Sequence, residues 1–126
     1  MEENSKEPNE LNELNPLTKS LTIQNVKFID LDFRIAVGYE SIVTAMQAAM
    51  DRMSIGKGRQ RHARHSNQPI EQQDIAVFSH GWRVDQIRKK ANELERLKRS
   101  ARADEVLDII CYACVEWLKL TGNIPE

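Results

Sequence analysis

The segment from residue 103 to residue 120 constrains the fold of this 126-residue chain more than any other. Apolar residues cover nearly every side of a helix drawn through it, from Val106 to Leu118. Asp104 and Glu105 suit the positive N-terminal end of a helix, and Gly122 stands where helices commonly end. A helix that is apolar on most sides must be covered by other elements, so this one is expected at the centre of the core or at a subunit interface.

The segments before it contain one strand pattern and two further helix patterns. Apolar and polar residues alternate over residues 29–37, which predicts a half-buried strand, with residues 21–26 as an extension or a shorter preceding strand. Helices are predicted at about residues 39–53 and 82–99. A strand needs a partner for its backbone groups, so we expect a small sheet or pairing with a second subunit, that is, a homo-oligomer. The predicted fold class is mainly α with a small β element (α+β).

Composition decides the domain organisation and the expected compartment. Residues 1–16 carry five Glu, one Lys and no aromatic residue, which predicts a disordered acidic tail before a single domain at residues 17–126. No apolar run approaches the roughly 20 residues that span a bilayer. The polar start is unlike a signal peptide, and two cysteines cannot form a disulfide framework. We therefore expect a cytoplasmic protein without a membrane partner.

The net charge of −1 conceals a strongly basic segment. Lys57, Arg59, Arg61 and Arg64 fall within eight residues, and no acid lies between Arg52 and Glu71. Glycines on both sides of the lysine allow close approach of backbone amides to an anion. The long polar connection at residues 54–73 is therefore predicted to bind phosphate, with His62 and His65 as further donors. The alternative is a solvated loop whose charge balances the acidic tail.

The predicted helix at residues 82–99 carries a second group of cations, which most simply form a solvated face. Arg88 differs because it follows the core position Ile87, and Trp82 could stack on a base or pack in the core. The predicted ligand-binding residues are Lys57, Arg59, Arg61, His62, Arg64, His65, Trp82 and Arg88.

Two possible metal sites follow from residue spacing. Glu105 and Asp108 lie on one face of the last helix, where they could hold a divalent cation or pair with nearby arginines. A zinc site could combine the two histidines of the basic segment with Cys111 and Cys114. We disfavour zinc, because cysteines in the middle of an apolar helix usually act as small core residues.

The stretch from Lys89 to Leu118 resembles the central helix pair of the all-α NTP pyrophosphohydrolases, the MazG-like group. In that group, ExxE on one helix and ExxD on the next hold magnesium against a nucleotide triphosphate. Glu105 and Asp108 match the ExxD pair, and Glu93 matches one acid of the earlier helix. The resemblance implies a pyrophosphohydrolase that uses Mg²⁺, although Lys89, Lys90 and Arg96 stand at the other expected positions and would repel the metal.

The run from Asp51 to His65 resembles one found in small, often phage-encoded proteins with a helical C-terminal half. Some such proteins act as sponges, which oligomerise and sequester cyclic or ADP-ribose-type nucleotide signals of bacterial defence. This resemblance implies an anti-defence role in the cytoplasm of a bacterial host. The leading hypothesis is a non-enzymatic, oligomeric protein that binds and sequesters a phosphate-bearing nucleotide and needs no cofactor. The alternatives are the Mg²⁺-dependent pyrophosphohydrolase and a nucleic-acid-binding regulator.

Overall fold

A long C-terminal helix organises the fold. The computed structural model describes residues 26–65 and 67–125. The last helix packs against the first, third and fourth helices of this part of the chain. None of the helices described there is long and apolar enough to cross a membrane. The helices are α1 (Glu40–Ser54), α2 (Lys57–His62), α3 (Asp74–Val77), α4 (His80–Glu93) and α5 (Arg99–Leu120), and two 3₁₀ turns lie at Ile70–Gln72 and Leu94–Arg96.

Helix α5 confirms the helix predicted from the apolar pattern but begins at Arg99, four residues earlier than expected. The C-terminal end of α5 lies next to Gly122, where the sequence predicts the helix to end. Gly122 has a φ of +75°, and the Asn123 amide donates to the Leu118 carbonyl at 2.9 Å. This is the left-handed termination that glycine favours.

The core forms where α3 and the C-terminal residues close over one face of α5. Trp82, Ile87 and Leu118 are among the partly buried side chains that pack around it. The central position predicted for the last helix is therefore confirmed for this face. The buried core residues are Ile75, Ala76, Cys111, Tyr112, Val115 and Ile124.

The predicted α+β class is wrong for the described residues, which are helical and contain no strand. Residues 29–37 form no ladder, and apolar and polar side chains along them are exposed alike. The physical reason is that alternation specifies a strand only when a second strand accepts its hydrogen bonds, and this part of the chain offers none. The residues 21–25 of the predicted strand region, like the predicted acidic tail, lie outside the described residues.

The basic segment is also not the long open loop that was predicted. Residues 57–62 form α2, which packs directly against the end of α1. A Cβ atom added to Gly58 would lie 2.9 Å from the Arg52 carbonyl oxygen. The glycine therefore permits close helix packing, a different role from the predicted contact with an anion.

A buried arginine joins α3, α4 and α5. Arg83 Nε donates to Glu116 Oε1 at 2.7 Å. Its Nη1 group donates to the carbonyls of Ile75, Ala76 and Phe78 at 3.4, 3.3 and 2.5 Å. Helix α4 begins with the predicted cap, because Ser79 Oγ accepts from the Trp82 amide at 3.2 Å. These bonds fix α4 against α5 and so position the site described next.

Candidate functional site

Four helices contribute charged side chains to one cluster around Asp108. We define the Asp108 cluster as Arg52, Arg61, Lys90, Glu105 and Asp108. Arg52 Nε donates to Asp108 Oδ1 at 2.5 Å. Three cationic groups reach the other carboxylate oxygen, Oδ2: Arg61 Nη1 at 3.1 Å, Lys90 Nζ at 3.2 Å and Arg52 Nη2 at 3.3 Å. One carboxylate thus holds α1, α2 and α4 against α5.

The electrostatics of the cluster favour an ionised Asp108. Burial raises the pKa of this carboxyl group, but the hydrogen bond and charge of Arg52, together with Lys90 and Arg61, lower it to about 2. In turn, the hydrogen bond with Asp108 raises the pKa of Arg52. Asp108 is therefore ionised at neutral pH, and the side chains of Arg52, Arg61 and Lys90 lie around its carboxylate.

An ammonium group lies between the two acids that match the ExxD pair. Lys90 Nζ is 3.4 Å from Glu105 Oε1 and 3.2 Å from Asp108 Oδ2. Glu93, the third acid of the MazG-like comparison, lies 3.9 Å from Arg96. In the described ranges, no group of three or more His, Cys, Asp or Glu side chains could hold a metal ion. Lys90 thus supplies the positive charge between these acids.

The cluster has a buried interior and an accessible edge. The side chain of Asp108 is only 5% exposed, whereas that of Arg61 is 43% exposed. Arg61 approaches Asp108 through Nη1, and a guanidinium carries several further N–H groups. Arg61 therefore exposes part of its guanidinium group to solvent while Nη1 remains bonded to Asp108.

His62 and Trp82, both predicted to contact ligand, pack against other aromatic rings of the protein; His62 is buried and Trp82 is partly buried. The two rings meet edge to face with centroids 6.1 Å apart. His62 also meets Tyr112, and Tyr112 Oη lies 3.3 Å from His62 Nε2. Trp82 also packs edge to face on Phe78, with the two ring centroids 4.8 Å apart. These contacts match the core alternative given for Trp82, which packs against the buried core and is itself partly buried.

The remaining predicted ligand residues are distributed over the surface and the interior. Arg64 forms two hydrogen bonds with Asp74, at 3.0 and 2.9 Å. Arg88 pairs with Asp85 one turn away at 2.8 Å. Arg59 is buried, and burial lowers its pKa. Lys57 is half-buried and His65 is exposed. Of the eight predicted residues, Arg61 is the one that these contacts place in the Asp108 cluster.

The burial of His62 makes stability depend on pH. Burial, with the nearby charge of Arg61, lowers the pKa of this imidazole from 6.5 to about 4. Between these values the unfolded chain binds more protons, so stability is complete above pH 6.5 and falls as the pH drops toward 4. We expect the free energy of unfolding in urea to decrease by about 1 kcal/mol per pH unit over pH 6.5–5.

The His62→Gln variant should lose this pH dependence, while His65→Gln, which replaces an exposed histidine, should keep it. Equal slopes in the two variants would show that another group is responsible.

The cluster includes two residues that sequence reasoning did not select. Arg52 appears as an ordinary basic residue in the last turn of a helix, and Lys90 as one of many cations on the next long helix. The available signal was Asp108, a carboxylate on the apolar side of the last helix that needs buried partners. His80 Nδ1 and Arg83 both bind Glu116 in a second group that the sequence also did not reveal.

Both segments that carry a family resemblance contribute residues to the Asp108 cluster. Asp51–His65 contains Arg52, Arg61 and His62, which the structure places in or beside the Asp108 cluster. Lys89–Leu118 contains Lys90, Glu105 and Asp108 of the same cluster.

Comparison of the chain with protein-family models, with curated protein sequences and with solved structures finds no match to any of them.

Proposed function

We propose that this protein binds a phosphate-bearing nucleotide at the exposed edge of the Asp108 cluster and acts by sequestering it. The observation that carries the proposal is the convergence of three cationic groups on Asp108 Oδ2. Such a convergence fixes the positions of the cations before a ligand arrives. Pre-positioned donors lose little entropy when they bind an anion.

The geometry of Arg61 supports a phosphate group as the ligand. A guanidinium offers forked donors that match phosphate oxygens, and charge-assisted bonds of this kind are among the strongest in proteins. Arg61 lies at the solvent-exposed edge of the cluster, with Arg52 and Lys90 behind it. A bound phosphate would therefore meet Arg61 first and interact with the other two cations at longer range.

The position of Lys90 favours binding over hydrolysis. Metal-assisted attack on a phosphate needs carboxylates that are able to coordinate the metal. Glu105 and Asp108 instead lie within 3.4 and 3.2 Å of one ammonium group. The pyrophosphohydrolase alternative would require Lys90 to move away from Glu105 and Asp108 before these carboxylates could coordinate Mg²⁺, so we do not favour it.

Isothermal titration calorimetry with ATP and with ADP-ribose tests the proposal. Arg61→Gln should weaken binding by at least about tenfold, because it removes a charge-assisted contact. Its fold should persist, since Arg52 and Lys90 still hold Asp108. Arg96→Gln is the matched control, because it removes the same charge from an exposed pair with Glu93. Equal loss in both variants would indicate a general charge effect and contradict the proposed site.

A nucleic-acid ligand is the second candidate, favoured by the exposed cations that follow the centre of α4. Arg88, Lys89, Arg96, Lys98, Arg99 and Arg102 are all exposed. Binding to long DNA or RNA would weaken steeply with salt, and Arg96→Gln would then reduce affinity at least as much as Arg61→Gln.

The nucleotide proposal, by contrast, includes an anti-defence role for the protein in the cytoplasm of a phage-infected bacterium.

A further inference from the structure

On its outer face α5 carries an apolar stripe that the rest of the described chain leaves largely uncovered. Val106, Trp117 and Leu120 expose 41%, 60% and 68% of their surface. They lie on the side of the helix opposite the buried residues Asp108 and Val115. Monomeric proteins rarely leave contiguous apolar surface of this kind exposed unless it mediates an interaction.

The spacing of the stripe is that of a coiled-coil seam. Its residues follow one another at intervals of three, four, three, four and three positions, which is a heptad repeat without interruption. All of them are uncharged. The stripe consists of Ala103, Val106, Ile110, Ala113, Trp117 and Leu120.

We propose that a second copy of this chain covers the stripe, with the two α5 helices antiparallel across a two-fold axis. Antiparallel coiled coils place each a position opposite a d position of the partner helix. That register pairs Trp117 with Val106, Leu120 with Ala103, and Ile110 with Ala113. Every layer then combines a large side chain with a smaller one, which is how neighbouring layers fill space evenly.

A parallel arrangement fits the same residues poorly. It would place Trp117 against its own copy and leave Ala103 and Ala113 against theirs, so that bulky layers would adjoin voids. It would also set Arg99 and Arg102 of both chains side by side at helix N-termini, where positive charge is unfavourable. In the antiparallel arrangement these arginines lie beside the C-terminal end of the partner helix, which carries the favourable partial charge.

The surface available suits a dimer of modest affinity. The stripe extends for about 26 Å along the helix. Its burial would remove roughly 400 Å² from each chain, about half of the area that a standard interface takes from one partner. Ile109 and Cys114, which flank the stripe and are only partly buried, add to the contact. We therefore expect the dimer to dissociate on dilution.

Light scattering over a concentration series measures the association. The wild-type chain should reach twice the mass of one 14.5 kDa chain at high concentration. Trp117→Glu should raise the dissociation constant by about 100-fold, because a central aromatic anchor is lost and a charge enters the seam. Ala113→Glu serves as a second variant, and circular dichroism verifies helicity in both. A wild-type monomer at all concentrations, or an undiminished dimer in both folded variants, would overturn the proposal.

Disulfide trapping tests the orientation. In a Cys114→Ala background, separate Ala103→Cys and Leu120→Cys proteins should form disulfide-linked dimers when mixed and oxidised. Neither protein alone should do so, because like positions lie at opposite ends of an antiparallel pair. A linked dimer from each single variant alone would show a parallel pair and overturn the assignment.

Discussion

Replacing Asp108 by Asn should destabilise the protein by about 3–5 kcal/mol, since it leaves the largely buried Arg52 without its close counter-charge. Asn keeps the size of the side chain but cannot neutralise Arg52, whose Nε lies 2.5 Å from Oδ1. Lys90 would keep one acid, Glu105, at 3.4 Å. Thermal unfolding followed by circular dichroism should show a melting temperature lower by roughly 10–20 °C.

Asp104→Asn is the matched control for that experiment. Asp104 lies on the same helix, is 63% exposed, and approaches Arg52 only to 3.9 Å. Its loss should change stability by less than about 0.5 kcal/mol, as is usual for an exposed pair. Similar losses in the two variants would indicate that the Asp108 cluster is not a special determinant of the fold.

The pH dependence of the stability of Asp108→Asn provides a second test of the role of Asp108. Asp108 has a pKa of about 2 in the folded chain, compared with 3.8 as its ordinary value. A carboxyl group whose pKa is lowered contributes stability that is present above pH 4 and lost as the pH falls from 3.8 toward 2. This part of the acid destabilisation, about 2 kcal/mol, should be missing in Asp108→Asn.

Replacing Arg83 by Met should also cost about 3–5 kcal/mol. The buried guanidinium satisfies Glu116 and three backbone carbonyls around the α3–α4 turn. Methionine fills a similar volume but removes the Arg83 donor from the three carbonyls and leaves Glu116 with His80 as its remaining partner at this site. Buried acceptors that lose a donor are costly. Urea unfolding should show a midpoint well below that of the wild type.

Arg88→Met on the same helix is the control for Arg83. Arg88 is exposed and pairs with Asp85, which is also exposed and lies one turn away on α4, at 2.8 Å. We expect a change within about 0.5 kcal/mol for this variant. Arg83→Lys should remain strongly destabilised, because an ammonium cannot reproduce the forked contacts of a guanidinium. Full stability of Arg83→Lys would show that charge alone suffices.

The helical part of the fold was predictable because its signals are local. Apolar spacing located the three long helices, while Ser79 and Gly122 marked a helix start and a helix end. The strand prediction failed because alternation over residues 29–37 does not reveal whether a partner strand exists. Helix α2 was missed because KGRQRH carries no apolar periodicity, and its packing depends on the close approach at Gly58.

The candidate site was predictable only in part, since it depends on contacts distant in sequence. Arg61 was selected for its charge, and Asp108 for its spacing from Glu105. Their meeting across 47 positions, with Arg52 a further partner, is a property of the tertiary structure. Charge density alone could not distinguish Arg61 at the edge of the cluster from Arg64, which pairs with Asp74.

The most direct test of the central claim is a nuclear magnetic resonance titration of the ¹⁵N-labelled protein with ATP, repeated with inorganic pyrophosphate. We predict saturable shifts of the Arg61 and Arg52 side-chain Nε–H signals at stoichiometric ligand, with smaller changes at the Lys90 amide. The Arg88 and Arg96 signals on α4 and its following turn should stay in place. Absence of saturable shifts, or shifts confined to Arg88 and Arg96, would contradict a phosphate site at the Asp108 cluster.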